Sequence, residues 1–135
     1  MKEISIDLPH VRLQALQFGE GAHTVLALHG WMDNAMSFAP IAPYLVDDDT
    51  RLIAIEFAGH GRSDHRPINS GYHFSDHMRD VMFAVEALKL EQVDIIGHSL
   101  GAIAISMLAG VYPQRFRRLV CIEGYGPPFV SDHHS

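Results

Sequence analysis

Three continuous apolar runs constrain this chain most: "TVLALHG" (residues 24–30), "TRLIAIEFAGHG" (50–61) and "QVDIIGHS" (92–99). Each is apolar without polar alternation and stops at a glycine-containing turn, the pattern of a strand buried on both faces. Between them lie segments with helical spacing. Over residues 37–46, Phe38, Ile41, Ala42 and Leu45 recur at that spacing, and residues 75–90 form a second amphipathic helix. Ser75 is the expected N-cap of the second helix, with Asp76 in its first turn. "LGAIAISMLAGVY" (100–112) is a largely apolar helix stopped by Pro113, and "RRLVCIEG" (117–124) a final strand. Two opening strands, "ISIDL" and "VRLQALQF", are joined at Pro9 and closed by the turn from Gly19 to Gly21. Strand and helix alternate after them, which demands crossover connections. The expected fold is therefore α/β: three layers, with a mostly parallel sheet covered on both faces.

A length of 135 residues is one domain's worth, so residues 1–135 are expected to share a single core. With 47% hydrophobic and 19% charged residues the composition is that of a soluble globular protein. A formal charge of −6, with no Lys/Arg stripe, argues against a nucleic-acid partner, and "RFRR" (115–118) reads as a solvated helix end. No window is apolar enough to cross a bilayer, and "MKEISIDLPH" has no signal-peptide core. The single Cys121 excludes an internal disulfide, which fits a cytoplasmic chain. No cofactor or metal is expected. No G-x-G-x-x-G stands between a strand and a helix, and the contiguous Asp132, His133 and His134 cannot easily converge on one ion.

After the last strand comes only "YGPPFVSDHHS", with nothing helical to cover that end of the sheet. A sheet ending on an apolar strand leaves backbone donors and acceptors open on its edge. The sequence thus reads as an α/β sheet truncated after about the sixth strand.

Ser99 stands where "VDIIG" turns into the helix that starts at Leu100, in the pattern G-x-S-x-G. Such a turn strains the serine backbone, and Gly97 and Gly101 relieve contacts on either side. It lifts the hydroxyl above the carboxyl edge of the sheet and aims the Leu100 N–H, at the helix N-terminus, into the same space. Five residues can match this pattern by chance, but the strand before and the helix after favour a nucleophile elbow. "LHGWMDN" (28–34) ends an earlier strand on the same edge. There Gly30 allows close backbone approach, and the Trp31 N–H is the natural second oxyanion donor. The Trp31 side chain reads equally as core or as pocket wall. His29 reads as a residue that hydrogen-bonds its loop into shape. In "EFAGHGRSD" (56–64), Gly59 and Gly61 permit a tight loop that an Arg62–Asp64 pair could fix.

Three ordered segments, "HGWMDNAMSF", "EFAGHGRSD" and "GHSLGA", resemble the α/β-hydrolase superfamily, and most closely its serine hydrolase-like members. The resemblance runs from about residue 11 to 124 and departs slightly at Glu56 and Ala58, where relatives usually have Asp and Pro. It implies Ser99 as the nucleophile of an acyl-serine mechanism, with the amides of Trp31 and Leu100 as the oxyanion hole. It also implies a histidine after the last strand of a longer sheet, an acid usually after the strand before it, and often a helical cap. The chain therefore resembles the N-terminal half of such an enzyme.

None of the ten histidines is a convincing base. His98 adjoins Ser99, but neighbours on an elbow point apart. His29 and His60 are candidates only by proximity, and His73 and His77 read as surface residues at a helix start. His10, His23 and His65 fall in turns, and His133 and His134 in a polar tail. Glu123, at the end of the last strand, reads either as a triad acid or as a polar residue capping a turn, and Asp132 is an outside candidate. Cys121 reads as core. Two functional readings follow. One is a serine hydrolase acting on a carboxylic ester or related small acyl substrate. The other is an inactive half-domain that joins a second copy or a complementing chain through its last strand.

Overall fold

The structure is a computed structural model that describes residues 1–66 and 73–123. Six strands form one sheet: β1 (Lys2–Asp7), β2 (Arg12–Phe18), β3 (His23–Leu28), β4 (Thr50–Ile55), β5 (Val93–His98) and β6 (Phe116–Ile122). Their spatial order is β1-β2-β4-β3-β5-β6. β1 and β2 run antiparallel as a hairpin, and β2 is antiparallel to β4. The pairs β4–β3, β3–β5 and β5–β6 are parallel. The three apolar runs are the three central strands, as their lack of alternation requires.

Alternate residues of those strands serve two separate cores. Leu26, Leu28, Ile53, Ile55, Val93 and Ile95 pack with Val81, Ala84 and Val85 of α2 (Phe74–Ala87) and with Ala104, Ile105 and Leu108 of α3 (Leu100–Val111). On the opposite face, Leu16, Ala27, Leu52, Ala54 and Ile96 pack against Ala35, Phe38 and Ala42. This second layer is thin. The single helix expected over residues 37–46 is instead a 3₁₀ turn at Ala35–Phe38, followed by the one-turn α1 at Ala42–Leu45. Pro40 and Pro43 explain the break, since neither ring nitrogen can donate the bond a continuous helix needs there. Asn34 caps the 3₁₀ turn by accepting from the Met36 N–H at 2.9 Å.

α2 also starts earlier than expected. His73, not Ser75, is its N-cap, and the His73 N–H donates to the Asp76 carboxylate in the first turn. The helix ends at Ala87, followed by Lys89 in a left-handed conformation (φ 56°). α3 ends at Val111, just before Pro113, as expected. β6 pairs only with β5 among the described residues, and Leu119, Val120 and Ile122 are 39%, 53% and 38% exposed. Cys121, expected in the core, is exposed on this edge strand beside Ser106. Asp132, His133 and His134 lie outside the described residues.

Candidate active site

β5 ends at His98 and α3 begins at Leu100, so Ser99 alone makes the turn, with φ 53° and ψ −109°. A non-glycine residue held there stores about 1–3 kcal/mol of strain, which neighbouring contacts must hold in place. Those contacts are present. The Ser99 N–H donates to the Ile122 carbonyl at 2.9 Å, and its carbonyl accepts from the Ile103 N–H at 3.1 Å. A Cβ on Gly97 would lie 2.5 Å from the Gly101 carbonyl carbon, and one on Gly101 would overlap the Leu28 carbonyl. The two glycines therefore let α3 sit directly against β5 and the end of β3.

The Gly30–Trp31 turn stands against this elbow. A Cβ on Gly30 would meet the His98 ring at 3.1 Å and the Ser99 side chain at 3.4 Å. The turn closes through the Asp33 N–H donating to the Gly30 carbonyl at 3.2 Å, with Met32 left-handed at φ 61°. The Trp31 N–H has no acceptor among the described residues, and the Leu100 N–H lies in the first turn of α3, where amides lack partners within the helix. Trp31 is 58% exposed, with its ring roughly perpendicular to that of His60, which excludes the core alternative.

His29 is completely buried and ties this turn to the loop after β4. The Phe57 N–H donates to His29 Nε2 at 3.0 Å, so that nitrogen carries no proton. The ring proton therefore sits on Nδ1, which donates to the Gly30 carbonyl at 2.6 Å. Burial pushes the imidazole pKa down, against the pull of that carbonyl.

Glu56 does more than stand in for an aspartate. Its buried carboxylate accepts from the N–H groups of Ala35 and Arg62, each at 3.1 Å, joining the 3₁₀ turn to the glycine loop. The expected Arg62–Asp64 pair does not form. The Arg62 guanidinium goes to Glu3, while Asp64 accepts from the Arg12 N–H at 3.1 Å.

His98 turns away from Ser99 and pairs through Nε2 with Glu123 Oε2 at 3.0 Å. Glu123 is exposed and left-handed at φ 58°. Beside them opens a largely apolar cleft of about 310 Å³, lined by Phe38, Pro40, Ile41, Ile96 and Ile122, with Asp33, Ser37 and His98 at its polar positions. The remaining histidines sort differently from expectation. His23 starts β3 and bonds Asp94 at 2.8 Å, whereas His10 and His65 are exposed. His77 is buried, not on the surface, because residues 77, 81, 84 and 85 share one helical face. That spacing was readable in the sequence. Among the described residues no cluster of three or more His, Cys, Asp or Glu is arranged to hold a metal. None of their helices is long and apolar enough to cross a membrane.

A profile of the alpha/beta hydrolase fold matches residues 23–135. A serine hydrolase-like protein of Danio rerio is 38% identical over 133 residues, covering 96% of this chain and 40% of that protein. Another, of Dictyostelium discoideum, is 40% identical over 107 residues, 79% of this chain and 30% of its own length. The crystal structure of a hypothetical protein from Pseudomonas aeruginosa superposes with a TM-score of 0.88 at 42% identity, covering 98% of this chain and 46% of that one. The chain thus spans less than half the length of each of these relatives. Elbow, glycine packing, strand order and relatives agree: the chain belongs to the alpha/beta hydrolase fold family.

Proposed function

We propose that these residues carry the nucleophile and oxyanion side of a serine hydrolase acting on a carboxylic ester or related acyl substrate. Ser99 Oγ gives its proton to a base from outside the described residues and attacks the acyl carbon. The carbonyl π-electrons move onto oxygen, and the amides of Trp31 and Leu100 receive that oxyanion. Collapse expels the alcohol or thiol, to which the base returns the proton, and leaves an acyl-serine, which water then hydrolyses. The observation that carries this reading is the backbone of Ser99, held left-handed between β5 and α3 with two unpaired amides nearby. No described imidazole is set to take the Ser99 proton, and His98 is engaged with Glu123. Glu123 keeps its other oxygen for an imidazole from outside the described residues. We assign residues 1–135 to one partial core domain and propose a cytoplasmic location, in keeping with an exposed Cys121 that has no second cysteine in the sequence to pair with.

The reading is tested by turnover of an activated ester, with and without added imidazole as an external base. Turnover that imidazole raises and Ser99→Ala removes supports it, and turnover unchanged by Ser99→Ala overturns it.

A second reading, that of a half-domain that assembles, is favoured by the open edge of β6. Pairing with a second copy or a complementing chain would satisfy that edge and cover Val120 and Ile122. Light scattering tests it: a dimer or larger species is expected, and a monodisperse monomer contradicts self-assembly.

A further inference from the structure

Behind the Gly30–Trp31 turn lies a row of rings that the proposed chemistry does not use. His29, His60 and His77 are 0%, 7% and 1% exposed. The ring centroids of His29 and His60 are 5.1 Å apart, and those of His60 and His77 are 6.0 Å apart. Phe57 packs edgewise or tilted against all three. The row joins three elements: His29 follows β3, His60 lies in the loop after β4, and His77 sits in the second turn of α2. Its front end grips the site twice. His29 Nδ1 bonds the Gly30 carbonyl, and the His60 ring meets the Trp31 indole at 5.1 Å. His60 Nδ1 donates to the Ala58 carbonyl at 3.1 Å, leaving the buried Nε2 without a partner.

We propose that His29, His60 and His77 are positioning residues, a buried row of rings that holds the Trp31 amide in place and lets go of it when His29 and His77 are protonated. Protonated His29 would have to abandon the Phe57 N–H, and a charge on any one ring repels charge on the next. Burial, with His60 and Arg66 nearby, pushes His77 down to about 4, although Asp76 draws the other way. Asp33 and Glu56 likewise favour a charged His29 but do not offset its burial. Asp80 is pushed up by burial, with its ion-pair partner Arg66, then Arg79 and His10, opposing and Asp76 adding to the rise. Its protonation favours the fold in acid and so works against the histidines. The unfolded chain takes up protons from about pH 6.5, the folded His77 only near 4. His77 therefore costs stability progressively between those values and is neutral in effect above them.

The proposal bears on the oxyanion loop of the proposed hydrolase, but its test needs no catalysis. Trp31 is the sole tryptophan, and an imidazolium quenches a neighbouring indole. Trp31 emission and the ring nitrogens of His29 and His77 would be followed by fluorescence and ¹⁵N NMR from pH 7.5 to 4, with far-UV circular dichroism reporting the fold. His29 should stay in its Nδ1–H tautomer below pH 6.5, the ordinary imidazole value. Emission should then change in the interval where His77 protonates, while the fold persists. His77→Phe should move that interval, and should it not fold, His77→Gln and the wild-type NMR decide alone. Emission that changes around pH 6.5, or that ignores His77, overturns the proposal. Failure of Ser99 to react at any pH would instead count against the hydrolase reading.

Discussion

The two flanks of Ser99 are built to different standards. On one flank stand the Gly30–Trp31 turn and the start of α3, backed by buried His29, Glu56 and His60. On the other stand β6, the last strand of the sheet among the described residues, and the exposed Glu123 just after it. The difference follows from what each flank offers. The proposed oxyanion donors are backbone amides, so the elbow and the turn that form the fold would also aim them. A proton acceptor is a side chain that must come from somewhere, and the open flank is where one could enter. In the proposed chemistry, the described residues supply the part that backbone geometry can.

The closed flank should break first when it is overfilled. Gly101→Ala drives a methyl group into the Leu28 carbonyl, and a loss of about 3 kcal/mol in urea unfolding is expected. A loss below about 1 kcal/mol would mean that α3 does not lie against β3 this closely. Acidification attacks the same flank through its histidines. With His77 pushed down to about 4 from 6.5, stability should fall by about 2–3 kcal/mol between pH 7 and 4, in part offset by Asp80. Urea midpoints measured across that range read the slope, and a His77→Phe chain should show less of it.

How much of this contrast the sequence discloses depends on the kind of interaction. The central strands, the elbow at Ser99 and the crossover order are legible because they rest on local apolar runs and glycine spacing. The break over residues 35–46 was written in Pro40 and Pro43, which outrank the apolar periodicity that suggested one helix. His77 was legible as well, since it shares a helical face with Val81 and Ala84, but residue type suggested a surface position. The partners of Arg62 and Glu56 were not legible. Glu3 is fifty-nine residues from Arg62 in sequence, and only the assembled sheet brings them together. The exposure of Cys121 likewise depends on what lies beside β6, which no property of "LVCIEG" reveals.

Smaller effects sharpen the comparison. Glu56→Ala strands the Ala35 and Arg62 amides, and about 2 kcal/mol should be lost, with Glu56→Gln recovering part of it. Val120→Lys on the open flank should change monomer stability by less than about 0.5 kcal/mol. It should nevertheless reduce any self-association seen by light scattering, because a lysine on an edge strand discourages pairing. Equal sensitivity of the two flanks would remove the distinction between them.

The central claim is that Ser99 is raised and oriented for attack. Its most direct measurement is intact-mass and peptide mapping after exposure of the purified chain to a fluorophosphonate, alone and with added imidazole. The account predicts a single adduct on Ser99, faster with imidazole and absent from Ser99→Ala. No adduct under either condition, or one that survives the substitution, would contradict it.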